Sequence, residues 1–379
     1  MQTLAIIVNY KVAALTVEAA RSVLESESLF PCRVVVVDNS EDAREESLLR
    51  FALPRGVDLV VPPDNLGFGQ ACNLVMENFS GDFILLLNPD ARLLPGCLQR
   101  LQHVLLQEKK VAAAGPQVYW DDHCNYYLPP PSTPFMFLYA PVATKAPPGS
   151  WIKKYLGLFW RRHAIKTWRS EAPMEVRNLS GGHVLLKREA LERAGGLFDP
   201  RFFLYFEDTD LFMRLRKAGY SLVFDAGARV VHHYDQSAQH DTEKKRQLFM
   251  ESHEKFLEKH LTGGKLWIHK ILGGLFLLCR ENSDWEKIPV FTAPFRLEVP
   301  ASVRKNWLFE WSPAPDFIPA AGMFGRGEYV DFSAEYWDML APGRYYGRLG
   351  GLSGKSLDRC RVCWDVREKV VMKERKMDE

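Results

Sequence analysis

Short apolar runs alternate with amphipathic stretches over the first two thirds of the chain. Leu4 to Val8 is apolar and stops at Asn9, Leu15 to Leu24 has helical spacing, and Arg33 to Val37 is β-branched and stops at Asp38-Asn39-Ser40. A polar helical stretch over Glu41 to Phe51, a strand at Val57 to Val61, the turn Pro62-Pro63-Asp64-Asn65, a helix from about Gln70 to Asn78 and the strand Phe83 to Leu87 continue the pattern. The helix Leu98 to Gln107 and the strand Val111 to Gly115 come next. Strands alternating with helices predict an α/β fold with a Rossmann-like, mostly parallel central sheet. Ligands of such sheets bind beyond the carboxyl ends of the strands, and those ends here carry Asn9, Asp38-Asn39 and Asn88-Pro89-Asp90.

An insertion over about 128–172 interrupts the alternation. Residues 129–149 are Pro-rich, and from Lys145 to Arg169 there are seven basic residues and no acidic one, interleaved with Trp151, Tyr155, Leu156, Leu158, Phe159 and Trp160. This patch suits peripheral contact with an anionic membrane surface or an acceptor bearing phosphate, and equally a solvated amphipathic helix that closes the side of the sheet. The α/β pattern resumes with Val184 to Lys187, the helix Arg188 to Ala194, the aromatic run Phe202 to Phe206, and a helix over Leu211 to Ala218. Strands at Ser221 to Phe224 and Arg229 to Val231, the latter ending at His232-His233, precede a helix at Lys244 to His260.

Beyond Ser283 the helical periods vanish, and short runs separated by Pro and Gly predict a smaller β-rich, sandwich-like domain. Its segment Leu340 to Tyr346 resembles the turn and strand of fibronectin-type or immunoglobulin-like modules. The expected organisation is therefore a catalytic domain over 1–265, an amphipathic linker helix at 266–283, a β-rich accessory domain at 284–370 and a charged tail at 371–379.

Composition narrows the class. With 47% apolar and 25% charged residues the chain is globular, and 49 Lys+Arg against 47 Asp+Glu give no global case for nucleic acid binding. Seven cysteines scattered along the sequence do not form a secreted disulfide framework, so a reducing cytoplasm is expected. The N-terminus has no basic region before an apolar core, and Leu266 to Cys279 is too short to span a bilayer, so neither export by a signal peptide nor a transmembrane segment is expected.

Candidate chemistry gathers at a few places. Asp90 follows an apolar strand directly, where its carboxylate could hold a hard divalent cation bridging two phosphates, or simply cap the next helix. Glu207-Asp208-Thr209-Asp210 puts three carboxylates at a helix start, with Arg214 one turn after Asp210. The preceding aromatic run would raise the basicity of a carboxylate there, as a general base needs, while the helix dipole would lower it. His232 at a strand end is a borderline metal ligand suited to Mn beside carboxylate and phosphate oxygens, and His233 and Ser237 could contact phosphate. Gly67-Phe68-Gly69-Gln70-Ala71-Cys72 nearly spells a dinucleotide fingerprint with Asp90 about 20 residues on, which keeps an NAD-dependent oxidoreductase as the alternative enzyme. A non-catalytic nucleotide-sugar or glycan-binding protein is the other alternative. The pair Cys360 and Cys363 reads as two strand cysteines.

Taken in order, Ile7-Val8-Asn9-Tyr10, Val36-Val37-Asp38-Asn39-Ser40, Asn65-Leu66-Gly67-Phe68-Gly69 with Asn73, Leu87-Asn88-Pro89-Asp90-Ala91, Ser180-Gly181-Gly182, Phe206-Glu207-Asp208-Thr209-Asp210, and His232 five residues before Ser237 resemble the inverting family 2 glycosyltransferases of the GT-A fold. The likeness is greatest to the rhamnosyltransferase-like branch that builds bacterial cell-surface polysaccharides, and it covers roughly residues 3 to 260. The resemblance implies that Asp38 binds the nucleobase, that Asn9, Asn65, Gly67 and Asn73 shape the nucleotide and sugar pocket, and that Asp90 is the metal-contacting acid of a DXD-type motif whose first position is Asn88 here. By the same resemblance His232 completes a site for divalent metal (Mn or Mg), Asp208 is the catalytic base, Glu207 and Asp210 position the acceptor or the Asp208 loop, and Gly181 and Gly182 let backbone approach the sugar. The implied donor is a dTDP- or UDP-sugar, dTDP-rhamnose first, and the implied acceptor a glycan or lipid-linked hydroxyl, with the enzyme cytoplasmic or peripheral at the inner face of the membrane.

Overall fold

The computed structural model describes residues 1–131, 150–233, 242–261, 290–352 and 359–367, with single positions at 147, 263–264, 285 and 288. The expected linker helix at 266–283, the tail at 371–379 and Ser237 lie outside the described residues. The chain divides into two compact units, one formed by Met1–Pro147 with Trp151–Arg280, the other by Pro148–Ser150 with Glu281–Glu379.

In the first unit the predicted alternation is present: β1 (Thr3–Asn9), α1 (Ala13–Leu24), β2 (Cys32–Asp38), α2 (Ala43–Ala52), β3 (Val57–Val60), α3 (Gly67–Asn78), β4 (Phe83–Leu87), β5 (Ala91–Leu93), α4 (Cys97–Gln107) and β6 (Val111–Tyr119). There follow α5 (Trp151–Trp168), β7 (Met174–Val176), β8 (His183–Lys187), α6 (Arg188–Arg193), α7 (Glu207–Lys217), β9 (Ser221–His232) and α8 (Thr242–His260). The sheet order is β3-β2-β1-β4-β8-β6-β9-β5, with β7 on the flank of β9. Strands β3, β2, β1 and β4 run parallel, β8 reverses direction, and β6 and β9 are again parallel to each other.

Alternation along each strand feeds two cores. Ala5 and Ile7 of β1 pack with α1, α2 and α4, while Leu4, Ile6 and Val8 pack with α3, α6 and α7. Three pairings position the site. Asn9 lies opposite Asp38, Leu87 opposite His183, and Ala91 opposite His232, so the ends of β1 and β2 are neighbours, and the residues after β4 meet the start of β8 and the end of β9.

The strand expected to end at Phe224 and the one expected to start at Arg229 form a single strand. Asp225 to Ala228 is an irregularity in its pairing with β6, where Pro116 faces Asp225 and Gln117 faces Arg229. Asp225 is held there by Arg100, whose Nε and Nη2 each donate over 3.1 Å, and by Gly227 N–H at 2.9 Å.

The second unit is all but entirely β: β10 (Val290–Phe291), β11 (Phe295–Glu298), β12 (Trp307–Ser312), β13 (Ala321–Gly325), β14 (Tyr329–Phe332), α9 (Ala334–Met339), β15 (Gly343–Gly350) and β16 (Cys360–Val366). A five-stranded sheet, β10-β16-β15-β12-β13, is joined to the pair β11-β14 by aromatic contacts of Phe295 and Phe332 with Trp364, at ring distances of 5.2 and 5.0 Å. Tyr345 Oη donates to Ala341 O over 2.9 Å and pins the turn before β15. Cys360 and Cys363 both lie on β16, as expected.

Candidate active site

The carboxyl end of β1 is a hub. Asn9 Nδ2 donates to Asp38 Oδ1 (2.9 Å), Ser40 Oγ (3.0 Å) and Glu45 Oε2 (3.1 Å), and Asn9 Oδ1 accepts from Thr16 Oγ1 (2.7 Å). The amide is therefore consumed within the protein, fixing the ends of β1, β2 and α2 relative to one another. Asp38 Oδ1 also takes the Ser40 N–H at 3.1 Å. Its rotamer is thus set by two donors on one oxygen.

The glycine segment packs on protein. Asn65 Oδ1 accepts the Gly67 N–H (2.9 Å), and Phe68 N–H, one residue on, donates to Phe203 O (3.1 Å). Gly67 has φ +72°, and a Cβ there would run into the Phe203 carbonyl. A pyrophosphate cradle needs these amides and this space, so the near-fingerprint is a packing element and does not support dinucleotide binding. Asn73 is likewise turned inward: its Nδ2 donates to Phe198 O (2.8 Å) and its Oδ1 accepts Phe198 N–H (3.0 Å). Both residues tie α3 to the loop that leads to α7.

At the far side of β4, Asp90 Oδ1 lies 3.0 Å from His232 Nε2, and both side chains are buried. Asn88 Nδ2 approaches the same nitrogen at 3.5 Å, and His183 Nε2 lies 3.3 Å from His232 Nδ1. Burial, then the neighbouring His232, pushes the His183 imidazole down to about 3, so it is neutral. His233, beside His232, is turned away, with its Nε2 at 3.0 Å from Asp122. A buried carboxylate oxygen facing an imidazole nitrogen is a donor set that suits a borderline divalent ion. Among the described residues no cluster of three or more His, Cys, Asp or Glu forms a complete cage.

Tyr205 and Phe206 enter α7 through left-handed backbone, at φ 70° and 65°, a conformation that costs non-glycine residues about 1–2 kcal/mol each. The Phe206 ring packs against Phe256 and His253 of α8 at 5.3 and 5.2 Å, which holds the turn. The result aims Asp208 back across the site. Its Oδ2 accepts Gly181 N–H (3.0 Å), and its Oδ1 accepts Thr209 N–H (2.6 Å) and Thr209 Oγ1 (3.1 Å). Burial raises the Asp208 carboxyl above the usual carboxylate range and outweighs the three donors that favour its ionised form. That decides the contest between aromatic surroundings and helix dipole in favour of higher basicity.

Asp208 opens into a cavity of about 280 Å³ whose lining includes Ser180, His183, Thr209, Pro129, Pro130 and Pro131. A single stretch, Ser180 to His183, joins the two halves of the site. Gly181 N–H holds Asp208, Gly182 O accepts Asn88 N–H (2.7 Å), and His183 supports His232. A Cβ on Gly182 would come within 2.6 Å of the Asn88 amide, so the approach of β8 to β4 requires glycine.

The other two acids of the motif face the interior. Glu207 is buried, its Oε2 has no hydrogen-bond partner among the described residues, and burial followed by repulsion from Asp208 pushes its carboxyl up to about 8. Folded Glu207 is therefore protonated at neutral pH while the unfolded chain ionises near 4.5. Its contribution to stability is complete below 4.5 and is lost as pH rises through 8. Glu207→Gln, scanned by thermal unfolding from pH 5 to 9, is expected to match wild type at the acid end and to exceed it above pH 8; parallel curves would refute the neutral carboxyl. Asp210 has no exposed surface. Burial favours its protonated form, but His260 (2.7 Å), Lys259 (2.7 Å) and Arg214 (2.8 Å) overcome this and hold it ionised, far below the usual range. Arg214 goes on to donate to the carbonyls of Ala194, Gly196 and Leu197, which makes Asp210 an anchor for α7.

His183 is the one site residue that sequence reasoning passes over. It follows two glycines and precedes the apolar run from Val184, and the only available signal is its place beside Gly182 at a strand start.

Comparison with known proteins adds the following. The profile of Glycosyl transferase family 2 matches residues 4–194. The N-acetylglucosaminyl-diphospho-decaprenol L-rhamnosyltransferases of two Mycobacterium tuberculosis strains are each 30% identical over 231 residues, covering 56% of this chain and 69% of the relative. Among solved structures, the mannosyltransferase PcManGT from Pyrobaculum calidifontis in complex with GDP-Man and Mn2+ aligns over 73% of this chain and 71% of its own, with a TM-score of 0.45 and 16% identity.

Proposed function

The chain belongs to glycosyl transferase family 2 and is a glycosyltransferase that uses a nucleotide-sugar donor, and from that premise we propose that it transfers rhamnose, with inversion, from a dTDP- or UDP-linked donor to a hydroxyl of a lipid-linked or cell-surface glycan. The observation that carries the reading is the Ser180–His183 stretch, which links the Asp208 carboxylate at the cavity to the Asp90 and His232 pair. The 30% identical relatives are named for rhamnosyl transfer to N-acetylglucosaminyl-diphospho-decaprenol, which supports this donor sugar and an acceptor borne on a polyprenyl diphosphate.

In this scheme Asp38 holds the nucleotide end of the donor, oriented by Asn9 and Ser40. Asp90 and His232 would hold a divalent cation, Mn or Mg, which when bound supplies positive charge against the leaving diphosphate. Asp208 takes the proton from the acceptor hydroxyl as that oxygen attacks the anomeric carbon, and the bond from that carbon to the diphosphate oxygen breaks with its electron pair on the nucleotide. Raised basicity suits Asp208 to the task, and the neutral Glu207 next to it adds no competing charge. Pro129, Pro130, Pro131 and Leu179 supply the apolar part of the cavity lining beside Asp208.

The test is donor hydrolysis and nucleotide release with a panel of dTDP- and UDP-sugars in Mn or Mg, together with nucleotide binding by calorimetry. Asp90→Ala is expected to weaken metal-dependent nucleotide binding by about 10- to 100-fold while leaving metal-free binding unchanged. Metal-independent binding in the wild type would overturn the assignment of Asp90 and His232, and release of another sugar would overturn rhamnose.

A further inference from the structure

We propose that α5 is a membrane-docking helix that lies on the anionic leaflet of a bilayer, with its outer face in the headgroup region and its inner face on the wall of the acceptor cavity. The outer face is unusual for a soluble helix. Trp151, Tyr155, Leu158 and Phe159 are 70, 65, 43 and 43% exposed. Lys154, Arg162 and Lys166 are exposed as well, and so is Arg169 just beyond the helix. At 3.6 residues per turn all eight positions fall within an arc of about 140°. Apart from Lys154 the first two turns of that arc are aromatic and aliphatic, the last two are basic, and no acidic residue occurs from 145 to 169.

The opposite face explains why the helix has a fixed orientation. Gly157, Trp160, Ala164, Thr167 and Trp168 are buried. Trp168 Nε1 donates to Leu128 O (2.9 Å), and His163 Nε2 lies 3.0 Å from Pro131 O. Residues 129–131 are the same prolines that wall the Asp208 cavity. A leaflet bound to the outer face would therefore lie about one helix diameter, roughly 10 Å, from the segment that walls the cavity.

Charge complementarity selects the occupant. Exposed Trp, Tyr and Phe favour the interfacial region of a bilayer, and each Lys or Arg near an anionic surface contributes about 1 kcal/mol. An acidic protein surface would match the cations but would leave the broad apolar half without a counterpart, whereas a leaflet matches both. Among the described residues no helix is long and apolar enough to cross a membrane, so the contact is one that lies on the surface.

The surface stands independently of the donor and the metal, and the experiment keeps them apart. The full chain is sedimented with vesicles of phosphatidylcholine alone and of phosphatidylcholine with phosphatidylglycerol, without nucleotide or metal, while donor hydrolysis is measured in vesicle-free solution. Wild type is expected to bind only the anionic vesicles and to be released by salt. Arg162→Ala/Lys166→Ala should bind about 30-fold more weakly, from the two lost cations. Trp151→Ser/Tyr155→Ser should also lose binding, with hydrolysis and thermal unfolding unchanged in both, since all four side chains are exposed. Equal binding to neutral vesicles, binding unaffected by either variant, or no vesicle binding together with saturable binding of a soluble diphosphate would each overturn the proposal.

Discussion

Asp208→Asn is expected to lower kcat by about 10²- to 10⁴-fold with the donor KM nearly unchanged. The asparagine oxygen can still accept from Gly181 N–H or from Thr209, so the turn into α7 keeps part of its support, but the amide cannot take a proton from an attacking hydroxyl. A pH profile separates chemistry from geometry. Since burial raises the Asp208 carboxyl, the acid limb of kcat in the wild type should lie above the ordinary carboxylate range, and it should vanish from whatever activity the variant retains. An unchanged kcat, or an acid limb that persists in the variant, would remove Asp208 from its role. Nucleotide binding with and without Mn serves as the control, because the donor end of the site is built from other strands.

The largest expected loss of stability is in the second unit. Glu310 on β12 and Arg348 on β15 are opposite each other in register and form two parallel hydrogen bonds of 2.8 Å, Glu310 with no exposed surface. Phe317 stacks on the guanidinium at 4.3 Å. Arg348→Met would remove the guanidinium paired with a buried carboxylate, a change of the kind that costs about 3–5 kcal/mol. The double variant Glu310→Met/Arg348→Met removes both charges and should recover most of that loss, since strand neighbours of similar volume can fill the space. Denaturant unfolding followed by tryptophan fluorescence checks both: Trp307, Trp311 and Trp364 sit in or beside this sheet. Equal stability of wild type and single variant would show that the pair is solvated and contributes little.

Much of the fold was legible because the physics that builds it is local. The apolar runs of β1, β2 and β4 are buried and end at polar residues, and together with the half-buried edge strand β3 they appear within a residue or two of where hydrophobic patterning puts them. Asp225 to Ala228 looks like a turn because the irregularity in β9 borrows turn residues, and only the pairing with β6 shows the strand continuing. β5 and β7 are three residues each and β13 is rich in glycine, too short or too featureless for a period to show.

The site was legible by residue type but not by direction. Sequence can nominate Asn9 and Asn73 but cannot say that their amides turn inward to hold strand and loop ends, because that depends on register between distant elements. The same limit hides His183, which matters only because β8 pairs with β4 and β5 pairs with β9. The basic insertion was balanced between two roles in the sequence, and the helix shows the closing one directly, since one face packs on Leu128 and Pro131; contact of its other face with a membrane remains the proposal made above.

The stretch from Ser180 to His183 has a further consequence. Because Gly181 grips Asp208 and His183, two residues later, backs His232, the separation between the two halves of the site is a covalent length and not the sum of many packing contacts. It acts as a fixed gauge. The prolines lining the same cavity belong to a different part of the chain and can be replaced one at a time, so under the proposed scheme acceptor preference can diverge through them while the spacing between Asp208 and His232 is inherited unaltered.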